Sequence, residues 1–426
     1  MKLSSDSLVP AARGRGSNLF LMFVAILAPS VACSQALLPE LNPGSSMRLL
    51  PADSVVLDLG EPRSDLPCAV RPDKPELGFD FKFHSRYRVT IPMNDLADSG
   101  DLLTILFRVV SENRQDAPVY FVQRIHVPVL KENIKGSAEL MGAFLLGEGR
   151  YHIDWLMRDI NGRFCASSWN VVTRVDAKDA PLSQDVVPGL IQPVKAPFLA
   201  DESPAERDRL GDLLNVLIIV NFAPQDLRSA TLSDTDIEGL AGILRKVDRD
   251  PRIGSYSVVA CSIKAQQVIY RQGNAAGIDL KAMGQALESL NLARVDVKQL
   301  SVKNGETAFL ANLTADAFKN SRPDGVIFVS PIYPLDADLS RETIGDLRQL
   351  DRPVFYLNYN LEPALFPWRD AIGRLVKRLD GYEYTISRPR DLSSAWSEIV
   401  ARMLASHSQQ AAGRGLVSAH ASATQP

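Results

Sequence analysis

The chain has little of what metal-dependent and hydrolytic proteins usually display in sequence. Five histidines are scattered over 426 residues, and no two form an H-x-x-x-H pair. A helical zinc site of that spacing is therefore excluded. None of the four cysteines has a partner at zinc-ligand spacing. A G-x-S-x-G nucleophile elbow, a P-loop, a G-x-G-x-x-G after a strand and H-E-x-x-H are all absent. Charge of one sign is scarce too, because 47 Lys and Arg nearly balance 50 Asp and Glu, a net of -3. That removes the electrostatic case for nucleic acid or an anionic membrane as partner.

What is present reads first as an export signal. Arg13 and Arg15 precede the apolar run Leu19–Ala28, which is too short to span a bilayer comfortably. Ser34-Gln35-Ala36 then offers a small-x-small cleavage site, so residues 1–36 are expected to be a signal peptide. Ser30-Val31-Ala32-Cys33 is a rival lipidation site, with Ser30 where Leu is usual. An uncleaved anchor or internal helix is the remaining alternative. The expected location is secreted or periplasmic, with membrane attachment only through a lipidated Cys33. Export exposes Cys68 and Cys165 to an oxidising compartment, which makes them disulfide candidates; two separate thiols is the other reading. Cys261 lies in an apolar run and reads as a core thiol.

The length accommodates two domains. Residues 37–76 are rich in Pro and charge and read as an extended leader. Over 77–176 the period is close to two, with turn residues between β-rich runs; Ile160-Asn161-Gly162-Arg163 is a hairpin signal. This predicts an antiparallel, immunoglobulin-like β-sandwich with Trp155 and Trp169 between its sheets. Its histidines His84, His126 and His152 read as surface or structural residues. Residues 177–212 have linker composition, with Val186, Leu190 and Phe198 able to lie along a domain surface.

From 213 the period changes. Doubly buried apolar runs alternate with amphipathic helices, including Ser233 as an N-cap and a hairpin over Tyr256–Arg271. The order β-α-β-β-α-α-β-α-β-α-β-α over 213–405 demands a doubly wound, mostly parallel six-stranded sheet with helices on both faces. Helices are predicted near 279–290, 307–319, 340–350 and 367–379. Residues 406–426 read as a disordered tail.

This second half resembles the von Willebrand factor A family over about 190 residues, roughly Leu213 to Leu404. NVLIIVNFAPQ resembles the first strand and its metal loop. NGETAFLANLTADAF resembles the segment that supplies a metal-binding threonine, and LDGYEYTISRPRDLSSAWSEIVARML the closing strand and helix of bacterial secreted members. The resemblance implies an Asp-x-Ser-x-Ser loop, a Thr and a second Asp holding a magnesium ion. Here the loop triad falls on Asn221, Ala223 and Gln225, Thr307 matches, and Ser330, Pro331 and Ile332 stand where the second Asp is due. No anionic ligand survives at a matching place, and neutral oxygens offset little of magnesium's dehydration cost. Asp226, Asp336 and Asp338 are the carboxylates that a shifted loop could bring in.

The expectation is therefore a retained scaffold without its ion, and no cofactor. Asn221, Gln225, Thr307, Ser330, Tyr333, Asn358 and Tyr359 are expected to gather at the carboxyl ends of the strands, where such folds bind ligands. An uncharged polar and aromatic rim suits recognition of another protein; the plainer reading is that these residues cap their own strands. The functional expectation is a non-enzymatic adhesion or envelope-assembly module. A metal-independent, hydrolase-like enzyme at the same strand ends is the alternative, and a rigid two-domain scaffold is a third.

Overall fold

Alternating apolar and polar residues dictate the sheets of the first half. In β5 (Phe83–Pro92) Tyr87, Val89 and Ile91 are buried while Arg88 is exposed. This computed structural model describes residues 36–38, 50–97, 102–128, 135–195, 197–198, 207, 213–226, 229, 232–288, 304–319, 323–334 and 352–422. The strands before β5 are β1 (Ala36–Leu38), β2 (Arg63–Ser64), β3 (Ala69–Pro72) and β4 (Glu76–Leu77). After it come β6 (Leu102–Ser111), β7 (Arg114–His126), β8 (Ser137–Leu146), β9 (Gly149–Arg158), β10 (Phe164–Thr173) and β11 (Ile191–Pro193).

They form two antiparallel sheets, one ordered β1-β7-β6-β9-β10-β2 and the other β11-β8-β5-β3, with β4 also on β5. Aromatic rings fill the space between them. Tyr87 meets Phe107 and Trp155 edge-on, and Phe107 stacks on Phe121 at 4.7 Å. Such pairs add about 0.5–1.5 kcal/mol each beyond the area they bury. Gly162 adopts φ +77° in the β9–β10 turn, the left-handed conformation its sequence position promised.

The described part of the predicted leader, 37–38 and 50–76, is not loosely attached. Helix Pro51–Leu59 lays Val56 and Leu57 over Leu106, Leu156 and Phe164 on the outer face of the first sheet. The short strands β1 to β4 extend both sheets. Apolar residues therefore stand on both faces of β6, which blurs its period of two. Cys68 and Cys165 form a disulfide. It joins β10 of one sheet to the crossing from β2 to β3, next to the pairing of Cys165 with Ser64. The stretch read as linker also joins the sandwich, because β11 pairs with β8.

The second half is a mixed sheet of β12 (Leu214–Asn221), β13 (Ile253–Ser262), β14 (Gln267–Ala275), β15 (Gly325–Pro331), β16 (Val354–Tyr359) and β17 (Tyr382–Ile386). Its order is β14-β13-β12-β15-β16-β17, parallel except for the antiparallel edge strand β14. Both faces of β12 are buried, as a continuous apolar run requires. Val216, Ile218 and Val220 pack under helices Asp234–Asp248 and Pro389–Ser422. Leu217 and Ile219 pack under helices Gly305–Lys319 and Ala371–Arg378. A further helix spans Leu280–Glu288.

Two expectations on this half need amending. The helix predicted from 367 begins at Ala371, because Asp370 caps it by accepting a hydrogen bond from Gly373 N at 2.8 Å. The final helix continues to Ser422, where a disordered tail from 406 was expected. The helix predicted at 340–350 lies outside the described residues.

The two halves share one core. The apolar cluster runs from the sandwich through Phe81, Leu182, Val186 and Phe198 to one face of the mixed sheet. The turn after β4 makes the closest approach. Phe79 meets the Tyr359 ring edge-on at 5.3 Å and covers Gly242 of helix 234–248, while Lys246 lies 4.9 Å over the Phe81 ring. Lys246 also reaches Asp185 at 2.9 Å.

Candidate functional site

Parallel strands end together, so the residues that follow them meet at one edge of the sheet. The order reverses between β12 and β15, and this is where a crevice is expected. Asn221 and Ser330 terminate those two strands and face each other. Asn221 Nδ2 donates to Ser330 Oγ at 3.0 Å, and Asn221 Oδ1 accepts from Ile263 N at 3.0 Å. Ser330 Oγ donates onward to the Pro331 carbonyl at 2.6 Å. One asparagine thus pins the ends of three strands, and its amide is consumed by the fold.

Of the other expected site residues, Asn358 stands beside Ser330 in the β15–β16 register, and the rest do not join this pair. Gln225 approaches Asp236 through its amide nitrogen at 3.3 Å and accepts from Leu361 N at 3.1 Å. Asp236 belongs to the capping box of helix 234–248 with Ser233. Thr307 is buried in the first turn of helix 305–319. Tyr333 lies in the core on one face of the sheet and Tyr359 in the core on the other. Tyr333 OH donates to Glu306 at 3.0 Å, and Tyr359 OH donates to the Thr235 carbonyl at 3.2 Å. Asn358 Nδ2 donates to Glu383 at 3.3 Å. Apart from the half-buried Gln225, all of these side chains are buried. They are interior braces where an open polar rim was expected.

A carboxylate does lie among them. Asp370 Oδ2 accepts from Tyr356 OH at 2.8 Å and Tyr333 N at 3.1 Å. Burial raises its pKa above the usual carboxylate range, against the pull of these donors. Among the described residues no three His, Cys, Asp or Glu side chains converge in a way that could hold a metal ion. Asp226 is described, whereas Asp336 and Asp338 lie outside the described residues. Cys261 is a buried free thiol whose pKa burial pushes up to about 12, which makes it unreactive.

A large opening among the described residues lies between the two halves. A cleft of about 860 Å³ is bounded by the turn around β4, by the 178–197 stretch, and by the ends of β16 and β17. Tyr359 is the one predicted site residue on its wall. Seven Lys and Arg side chains line it against four carboxylates, Glu76, Asp80, Asp179 and Glu238. His84 stands on the sandwich side with Nε2 3.0 Å from Asp80 Oδ1. Burial opposes ionisation of Asp80, but its hydrogen bond and charge interaction with His84, helped by Lys82, hold its pKa below the usual value. Glu238, from the other half, is shifted up by burial despite Arg86 at 3.6 Å.

Sequence reasoning missed this cleft because its walls come from several segments far apart in the chain. Lys178 and Lys195 sat in apparent linker composition, and Arg388 and Arg390 looked like a helix entry. The only local trace is the cluster Arg388-Pro389-Arg390.

No protein-family model matches this sequence, and no curated protein matches it. Among solved structures, a glycosyl hydrolase family 2 member from Bacteroides cellulosilyticus is similar at 12% identity and a TM-score of 0.18, covering 76% of this chain and 39% of that one. A Bacteroides uniformis beta-glucuronidase gives 11% identity and a TM-score of 0.16, covering 74% and 38%. A Paenibacillus cycloisomaltooligosaccharide glucanotransferase gives 10% and 0.16, covering 68% and 44%. The chain thus spans about two fifths of the length of these structures. At such scores the likeness carries no argument about activity. Among the described residues no helix is long and apolar enough to cross a membrane. The observations support a mixed α/β chain, rich in antiparallel sheet, with a sandwich docked on a doubly wound half.

Proposed function

We propose that this chain is an exported, non-enzymatic protein-binding module, built as a β-sandwich fixed to a von Willebrand A-like domain that works without its metal ion. The sheet order, with an antiparallel edge strand directly after the first helix and second strand, supports the family reading. The observation that carries the ion-free reading is Asn221. Its amide bridges Ile263 N and Ser330 Oγ at the position where the family's carboxylate would face the ion. A buried amide committed to both neighbours has no charge to offer an ion. The shared core makes the two halves one rigid frame, which suits presentation of a fixed surface to a partner.

The test uses the full disulfide-bonded chain. Titration calorimetry with Mg²⁺, Ca²⁺ and Mn²⁺ is expected to show no specific binding. Capture of an envelope protein is expected to persist in EDTA. Micromolar ion binding that disappears on Thr307→Ala or Asp226→Ala would overturn the ion-free reading. A purified chain that hydrolyses a peptide or glycoside bond would overturn the non-enzymatic one.

A further inference from the structure

We infer that the cleft between the two halves is the seat of an acidic, partly apolar peptide segment of the partner protein. This rests on the binding-module reading and names the chemistry of its ligand. Three features of the cleft carry it.

The first is charge. The chain as a whole is slightly acidic, at -3, yet this cleft holds seven cations against four carboxylates. Lys74 and Arg86 stand on the sandwich wall, Lys178 and Lys195 on the connecting stretch, and Arg388 and Arg390 on the mixed-sheet wall. A concave surface with an excess of positive charge concentrates ligands of the other sign and speeds their capture.

The second is spacing. The cations come from several separate segments of the cleft wall, which suits a ligand that carries several carboxylates. Arg86 pairs with Glu76 and Glu238 at 3.4 and 3.6 Å, and Arg390 pairs with Asp179 at 3.4 Å. These are long, partly exposed contacts that a carboxylate ligand can replace. The amino terminus of helix 389–422 adds nothing, because Asp391 already accepts from Ser387 N at 3.2 Å and Arg388 N at 2.9 Å. Side-chain charge is therefore the recognition element.

The third is what lies between the cations. Leu77, Phe79, Leu145, Leu182, Val194 and Leu361 also line the cleft. Apolar wall between spaced cations matches a chain that alternates acidic and apolar side chains. The volume of about 860 Å³ is ample for several residues of such a chain.

The experiment is fluorescence anisotropy of the full chain with a labelled ten-residue peptide of alternating Glu and Leu. A Lys/Leu peptide serves as control, and inorganic phosphate and pyrophosphate as competitors. Saturable binding of the acidic peptide only is expected, weakening with added salt. The exposed-cation variant Lys74→Glu/Lys195→Glu/Arg388→Glu is expected to lose about tenfold or more in affinity. The control variant Arg114→Glu/Arg150→Glu/Arg174→Glu, at exposed sandwich residues that do not line the cleft, is expected to retain it. Both variants should melt like the parent, since all six side chains are exposed.

Equal loss in both variants, or none in either, would overturn the cleft assignment. No peptide binding alongside binding of pyrophosphate would overturn the peptide in favour of a small anion. Either result leaves the binding-module reading intact, provided an envelope partner is still captured. Cleavage of the bound peptide would instead retain the cleft and defeat the non-enzymatic reading.

Discussion

Gly242 separates ordinary helix behaviour from the docking of the two halves. It lies inside helix 234–248, where Gly→Ala normally stabilises by about 0.8–1.0 kcal/mol. Here a methyl group at Gly242 would stand 2.7 Å from Phe79 Cβ and 3.0–3.1 Å from the Phe79 backbone carbonyl atoms. Backbone atoms cannot rotate out of the way. The turn that carries Phe79 is itself held by Tyr359 and by Lys246 over Phe81. Overpacking of this kind costs about 1–3 kcal/mol, and detaching the turn would forfeit burial of two aromatic rings at about 1.5–3 kcal/mol each. Set against the helix gain, the clash leaves Gly242→Ala destabilised by about 1 kcal/mol. For a unit of this size that lowers the melting temperature by about 2–4 °C. Differential scanning calorimetry measures it, with limited proteolysis across 177–198 reporting whether the halves part. Gly242→Leu should do more. Gly273, with nothing within 4 Å of its would-be Cβ, is the control and should tolerate Ala. A Gly242→Ala protein that melts higher than the parent would refute the docking argument.

Removing the disulfide by Cys68→Ser/Cys165→Ser opens a loop spanning 97 residues. Chain entropy puts the loss at about 4–5 kcal/mol, so the urea midpoint should fall sharply; an unchanged midpoint would show that the bridge constrains nothing. Acid should act partly through Asp250, which accepts from Trp396 Nε1 at 2.9 Å and from Arg252 at 2.6 and 2.8 Å. Burial opposes ionisation of Asp250, yet these donors lower its folded pKa. Its contribution is thus present above the unfolded value near 3.9 and lost as pH falls through the lower folded pKa. Denaturant midpoints from pH 6 to 3 should fall less steeply for Asp250→Asn than for the parent, and parallel curves would remove Asp250 from the account.

The sequence by itself determined most of the longer elements and their succession, though not helix 51–59 or the short strands β1–β4 and β11. The period-two run around Tyr87, the Asn161-Gly162 turn and the Ser233 cap each act through local backbone chemistry. The unbroken run Val216–Val220 required a strand covered on both sides, and hence a layered sheet. The absence of a carboxylate at Asn221, Ala223 and Gln225 was likewise visible in the letters. Only the tertiary structure decided what those letters do. Asn221 and Ser330 stand 109 residues apart, and nothing local indicates that their side chains satisfy each other. The helix at 51–59 escaped notice because its stability comes from the sheet it covers and owes little to its own short sequence. The cleft escaped for the same reason, since its field is a sum over Lys74, Lys195 and Arg388, which meet only after the halves dock. Hydrogen-bond and helix-cap preferences act over a few residues and can be read along the chain. Burial and electrostatic potential depend on distance through space, which the chain fixes only by folding.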